Sequence, residues 1–381
     1  DGRIVPVQLA TKLAGRLGDY DVGFTHARLE GPSGLDEQNV FAARVTKQVF
    51  SQSRVGVIAT GGDPSSDLDN YVGGVDFTFR TNEFLDDRIL EANLYGLGNY
   101  TEAAGGGHGT DYAFGGRVSY PNDRWDGSLS YLEIGPGFDP ALGFVRRTGI
   151  RTVSGLIRRK HRPGGSGWYR QLAGGADVSV TSRTSGGLDS ARFGVAPFNL
   201  EFASTDELSL RISHNIDRPA EAFELGDITV PAGEYSWTKA RLEFEATSSR
   251  PVWGEFSVEA GEFYDGWRVQ GSAEVEWNPS RHFRINGTYQ YNRVDLGDGS
   301  FDAHVGSLGI NWNLTPDLGW STLVQYDSLS NEVGFNSRIR WEYRPGSTIY
   351  LVLNQSLMAE DRGLDLQRSD LTLKADATFR F

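Results

Sequence analysis

Cysteine is absent from this chain and methionine occurs once. No disulfide, thiolate nucleophile or cysteine metal site is therefore available, a composition that suits an envelope compartment. The six histidines are scattered, and none pairs with another at zinc-ligand spacing. Positive charge is in deficit: the net charge is −13 and the pI about 5.0, so no nucleic-acid partner is expected. Long apolar runs are missing too. Nothing approaches the roughly 20 residues of a membrane helix, and mean hydropathy is −0.40. That excludes a helical membrane protein but not a β-barrel, whose strands are only half apolar. No basic-then-apolar leader precedes Asp1, so any secretion signal is expected to have been removed or to lie outside this stretch.

What the chain has is alternation. Leu371, Leu373, Ala375, Ala377, Phe379 and Phe381 are apolar, and Thr372, Lys374, Asp376, Thr378 and Arg380 between them are polar or charged. Successive strand side chains point to opposite faces, so this stretch has one greasy and one wet face. It also has the length a tilted strand needs to cross a bilayer. Similar segments recur from end to end. Tyr71 to Arg80 is a clear early case, and the carboxy-terminal third is the most regular. There Leu242 and Phe244 alternate with Arg241, Glu243 and Glu245, and Val275 alternates with Glu274 and Glu276. Ile285 follows Arg284, while Ile339 and Trp341 alternate with Arg338, Arg340 and Glu342. The period-two criterion gives about 21 such segments. No segment shows a helical period.

Connectors also alternate in kind. Tight ones such as Pro121-Asn122-Asp123, Asn278-Pro279-Ser280, Thr315-Pro316-Asp317 and Arg344 to Ser347 carry turn residues. Longer ones run Gly31 to Asn39, Gly61 to Asn70, Ala103 to Gly109, Gly135 to Gly149, Asp217 to Glu234 and Met358 to Asp370. Short turns on one rim and long loops on the other are the pattern of an outer-membrane barrel. A soluble sandwich needs fewer strands and concentrates aromatics in its core, and a propeller needs a blade-length repeat that is not seen. Aromatics near segment ends, among them Trp125, Tyr235, Trp237, Tyr264, Trp267, Trp277, Trp312, Trp320, Trp341 and Tyr343, fit interfacial girdles. The expectation is an all-β fold: one large antiparallel transmembrane β-barrel of about 20 to 26 strands in meander order, occupying residues 1–381 as a single domain.

Several separated motifs carry a family resemblance. They include Pro121 to Trp125, Phe138-Asp139-Pro140, Leu142 to Arg147, Val230 to Tyr235, Phe263 to Gly266, Tyr291 to Leu296, Val324 to Asp327 and Arg340 to Ser347. Together they resemble an uncharacterised family of bacterial outer-membrane β-barrels whose amino-terminal part is similar to a family-nine carbohydrate-binding module. The resemblance spans nearly the whole chain and implies an outer-membrane barrel of the bacterial envelope. It brings no catalytic residues, and the carbohydrate-binding-like domain has no counterpart in these residues. The strand count is odd, whereas a bacterial barrel of one chain normally has an even number with both ends periplasmic. Strands from a missing amino-terminal segment, or from another chain, are accordingly expected beside Val5 to Leu17.

The face assignments follow from phase. Arg241, Glu243, Glu245, Glu274, Glu276, Arg284, Arg338, Arg340, Glu342, Lys374 and Asp376 are expected to line the lumen. Leu242, Phe244, Val275, Ile285, Ile339, Trp341, Leu373 and Phe379 are expected to face lipid. The carboxylate pairs Glu243 with Glu245 and Glu274 with Glu276 have the composition of a glycosidase pair, but neighbouring arginines make a charged pore wall the simpler reading. Asp63, Asp67, Asp69 and Asn70 offer oxygen ligands without EF-hand spacing. Gly105 to Gly107 lies between strands, so it is no phosphate cradle. In the loop Gly135 to Gly149, Phe138, Leu142, Phe144 and Val145 are unusual for a solvated tip, and they are expected to fold into the barrel or onto a partner. No catalytic, cofactor or metal residues are assigned, and no enzyme activity is expected. The leading function is a porin-like pore or passive conduit for polar solutes. A plugged structural or assembly barrel that binds proteins through its loops is the alternative, and a barrel enzyme on glycan or lipid ranks third. Expected partners are outer-membrane lipid and, during biogenesis, the barrel assembly machinery.

Overall fold

The computed structural model describes residues 5–31, 37–165, 167–360 and 363–378. Among these residues the regular structure is entirely β. Of 23 strands, 21 form one sheet and two form a separate small hairpin. Where register is defined, each sheet strand pairs antiparallel with its neighbour in sequence, which is meander topology. Two compact units divide the chain: residues 1–160 with 175–193, and residues 161–174 with 194–381.

The first unit is built on β1 (Val7–Leu17), β2 (Tyr20–Leu29), β3 (Gln38–Val49), β4 (Ser53–Gly61), β5 (Asn70–Phe84), β6 (Arg88–Ala103), β7 (Gly107–Pro121), β8 (Trp125–Ile134) and β9 (Ile150–His161). It also holds most of β10 (Tyr169–Arg183) and the start of β11 (Leu188–Phe202). Alternating side chains drive these strands, because period two suits a sheet whose two faces meet different surroundings. The turn between β1 and β2 needs a left-handed residue, and Gly18 supplies it with φ 61°.

The second unit holds the rest of β11, then β12 (Glu207–Asp217), the short pair β13 (Phe223–Leu225) and β14 (Ile228–Val230), β15 (Tyr235–Glu245), β16 (Val252–Phe263), β17 (Gly266–Ser280) and β18 (Phe283–Leu296). It ends with β19 (Gly299–Asn313), β20 (Leu318–Asp327), β21 (Glu332–Arg344), β22 (Ser347–Glu360) and β23 (Gly363–Asp376). The connector expected from Met358 to Asp370 is instead mostly strand. Leu364 and Leu366 continue the alternation, and Met358, Ala359 and Glu360 pair with Asp365, Leu364 and Gly363. The connector from Asp217 to Glu234 contains the β13–β14 hairpin, which pairs only with itself.

Candidate functional site

Registers across β12 to β23 decide which side chains share a face. Arg241, Glu243 and Glu245 stand opposite Glu259, Ser257 and Glu255. Glu255 then faces Glu274, Trp253 faces Glu276, and Glu276 faces Asn286, next in phase to Arg284. Following Arg284 through Asn311 and Ser321 leads to Arg338. Arg340 and Glu342 lead through Tyr350 and Thr348 to Lys374 and Asp376. All the expected lumen residues of this unit thus lie on one charged face. Leu242, Phe244, Val275, Ile285, Ile339, Trp341 and Leu373 lie on the other. Phe379 falls outside the described residues.

The charged face is a set of local pairs rather than one network. Arg241 reaches Glu243 at 2.6 Å, Lys239 reaches Glu259 at 2.7 Å, and Lys374 reaches Asp376 at 3.3 Å. Arg340 pairs with Glu342, and Glu276 accepts hydrogen bonds from Trp253 Nε1 and Asn278 Nδ2 while facing Arg284 at 3.6 Å. Glu274 and Arg338 make no ion pair among the described residues. Between Arg284 and Arg338 the face offers only Asn311 and Ser321, too short to relay charge. Exposed pairs contribute about 0–1 kcal/mol each, so this face is not a stabilising core. It is a wall suited to water and ions.

The opposite face cannot be suited to water. Leu242, Val258, Ile339, Trp341 and Leu373 are exposed, the last by 72%. An apolar surface continuous over many strands far exceeds what soluble monomers leave uncovered. In the first unit the same face bears a line of rings. Tyr71 and Tyr100 approach to 6.4 Å, Tyr112 and Phe114 to 5.8 Å, and Phe114 and Tyr131 to 5.7 Å. Glu133, a buried carboxylate among these rings, accepts from Tyr112 Oη and Tyr131 Oη and pairs with Arg151 at 3.0 Å. Rings with polar tips are what a membrane–water boundary selects.

Each unit also folds one connector onto its charged face. In the first, Phe138 is 4% exposed and packs with Val72 and Ala113, with Leu97, Ile134 and Val145 around them. Asn70 ties the loop down: its Nδ2 donates to the Asp139 carbonyl at 2.8 Å, and its Oδ1 accepts from Ala141 N at 3.1 Å. Asp111 accepts from Gly137 N and lies against Gly135, where any Cβ would collide with its carboxylate. Leu142 and Phe144 do not join this packing, and Phe144 is 87% exposed. Arg147 anchors the far end on Asp189 at 2.7 Å.

In the second unit the β13–β14 hairpin plays the same part. Ile228 and Val230 are buried against Val294 and Leu296, and Phe223, Leu225, Tyr235, Phe263, Tyr264 and Phe301 pack around them. Val294 and Leu296 stand in phase with Arg284 and Asn292, on the charged face. Tyr235, Trp237 and Tyr264, read from sequence as girdle aromatics, therefore belong to this cluster instead. Tyr264 occupies the tight turn between β16 and β17 with φ 50°, a conformation unfavourable for an aromatic residue and held here by its packed ring. Burial and its hydrogen bond to Asp217 at 2.9 Å push the phenol pKa up. The sequence signal for both clusters was apolar residues out of phase: Val72, Leu97, Val294 and Leu296 fall where charge was expected.

The remaining chemical candidates do not converge. Asp63 is partly buried, which opposes its charge, but hydrogen bonds from Ser65 and Ser66 outweigh this and lower its pKa. Asp69 faces Tyr71, and Asn70 holds the infolded loop, so the acidic loop is committed to local bonds. Among the described residues no cluster of three or more His, Asp or Glu is placed to hold a metal ion.

No family model matches this sequence, and no curated protein does. Solved structures do. The chain is similar to the copper transporter OprC, with a TM-score of 0.55 and 12% identity over 95% of this chain and 74% of that one. A looser likeness, at TM-score 0.46 and 12% identity, links it to the ferric yersiniabactin uptake receptor FyuA of Yersinia pestis, over 96% of this chain and 69% of that one. The latter superposition is too loose to build on. The former fixes the fold class, a large antiparallel β-barrel.

Proposed function

We propose that this chain is a bacterial outer-membrane β-barrel that conducts polar solutes passively along a lumen lined by its charged face. The observation that carries this reading is the division of the sheet. One face is apolar, ringed by aromatics and exposed, and the other bears both signs of charge in locally paired, solvated groups. Lipid accepts the first and water the second, and a closed sheet leaves no backbone group unpaired in the hydrocarbon. The likeness in fold to a copper transporter and the motif resemblance to the uncharacterised outer-membrane family support the barrel part of this reading. The infolded loop and the infolded hairpin each cover part of their own unit's charged face, so modest rather than wide-open conductance is expected.

Planar-bilayer recording tests it. Purified protein should give stepwise conductance, and neutralising Glu243, Glu274 and Glu276 to Gln together should shift the reversal potential toward anions. Correct insertion with no ion flow would overturn the conduit. A second reading, a plugged barrel that binds another protein through its loops, is favoured by one observation, the exposed Phe144 beside Leu142. Under that reading Phe144→Ser abolishes capture of the partner and leaves bilayer behaviour unchanged.

A further inference from the structure

We propose that a basin on the charged face of the first unit binds hydroxylated oxyanions, solutes of the sugar-phosphate or sugar-acid class. This rests on the conduit reading for its access route and goes beyond it in naming a ligand. The register assembles the basin. Arg54 of β4 stands opposite Thr78 of β5, Thr78 opposite Asn93 of β6, and Asn93 opposite Arg117 of β7. One step along the strands, Arg80, Glu91 and Ser119 form the parallel row. The cavity they line holds about 610 Å³, within the ordinary range of small-molecule sites.

Charge pairing fails here and holds nearby. On the same face Arg44 meets Asp76 at 2.7 Å and Arg158 meets Asp126 at 2.6 Å. Within the basin only Arg80 has an acidic partner, Glu91 at 3.4 Å. Arg117 spends its donors on hydroxyls, Ser119 Oγ at 3.1 Å and Ser128 Oγ at 2.9 Å. Arg54 makes no ion pair among the described residues. Asp21 is the other acid on the rim, so three guanidinium groups face two carboxylates. A planar guanidinium fork matches carboxylate and phosphate oxygens two at a time, and Arg54 and Arg117 set one such fork at either end of a row that runs across four strands. Most of the remaining side chains are amides and hydroxyls, with Gln48, Asn93 and Ser119 in reach of a polyol and Phe79 and Ala92 adding apolar surface.

The test is calorimetric titration of the full chain in detergent micelles at low salt, with glucose 6-phosphate and glucuronate as probes and glucose as the neutral control. Both anions should bind and glucose should not, and whichever anion binds tighter assigns phosphate or carboxylate. The double variant Arg54→Gln/Arg117→Gln should weaken anion binding at least tenfold, and Arg284→Gln, on the charged face of the second unit, should leave it unchanged. Heat-modified gel mobility checks that the variants fold. Should the Gln pair fail that check, Arg54→Lys/Arg117→Lys keeps charge, loses the fork, and should bind several-fold more weakly. Glucose binding as tightly as the anions, no anion binding at millimolar concentration, or unchanged affinity in a folded double variant overturns the basin. Because binding is read without a bilayer, a protein that binds anions but passes no current loses the conduit and keeps the site.

Discussion

At Ile339 the division between the two faces becomes measurable. Its partners across the strands are Trp320 and Leu351, and it sits mid-strand in β21. If the apolar face meets lipid as proposed, an Arg there leaves its charge in hydrocarbon, which costs about 2–4 kcal/mol near the bilayer midplane. The adjacent Arg338→Gln should stay within about 0.5 kcal/mol, as expected of a solvated surface change. Denaturant titration of refolding into lipid vesicles, read by tryptophan fluorescence, compares the two. Similar losses at both sites would show the face assignment to be wrong. Asp206 gives a second residue-scale test, this one in pH. Arg250 at 2.8 Å, then Ser204 and the Thr247 N–H, hold its carboxyl well below the usual carboxylate range. With the folded pKa depressed, its contribution is full above the ordinary value of about 3.9 and fades as pH falls below that. The bonds tie the β11–β12 turn to the β15–β16 turn. Amide exchange of residues 246–250, taken relative to the intrinsic rate at each pH, should therefore accelerate below about pH 4 in the native protein. In Asp206→Asn it should already be fast at neutral pH.

At the scale of elements, the infolded hairpin is held on the main sheet by side-chain packing, with no ladder to it among the described residues. Ile228→Asp with Val230→Asp places two charges against Val294 and Leu296, where burying each apolar side chain contributes about 1.5–3 kcal/mol. Residues 218–234 should become sensitive to protease and conductance should rise, while the barrel keeps its heat-modified gel shift. An unchanged conductance with a cleaved hairpin would place that hairpin off the conduction path. In the other unit, Phe138→Ala should cost about 3–5 kcal/mol of loop docking and speed exchange across Gly135 to Gly149. These elements also mark where sequence stops being informative. Long strands were legible because period-two alternation over ten or more residues has one physical meaning, and Arg338 to Glu342 announces its face without help. The β13–β14 pair was not, since three-residue strands carry no period. Val72 and Val294 broke the polar phase because they pack against a folded connector, and no local pattern says what will cover them. The basin of Arg54, Arg80 and Arg117 was hidden for a related reason: its residues come from six strands, β2 to β7, and only the register brings them together.

For the whole molecule, both infolded segments are removable without touching the main sheet's ladder. Ile134 and Ile150 already pair at the mouth of the first loop, and Asp217 and Tyr235 pair at the mouth of the second. A two-residue Asn-Gly turn can therefore replace either connector. The hairpin belongs to its own two-stranded sheet, so its loss strips no hydrogen bond from the 21 strands whose pairing the hydrocarbon demands. Variants lacking one segment, the other, or both should accordingly insert as well as the parent. If the charged faces line one conduit, each deletion should raise single-channel conductance and the double deletion should exceed both. Segments stacked along the path act as resistances in series, so the double variant would then gain more than the sum of the single gains. Segments lying side by side add open area, and the gains would simply sum. A double variant that inserts, shows the parent's gel mobility, and conducts no better than the parent would contradict the conduit and favour a barrel whose loops serve a partner.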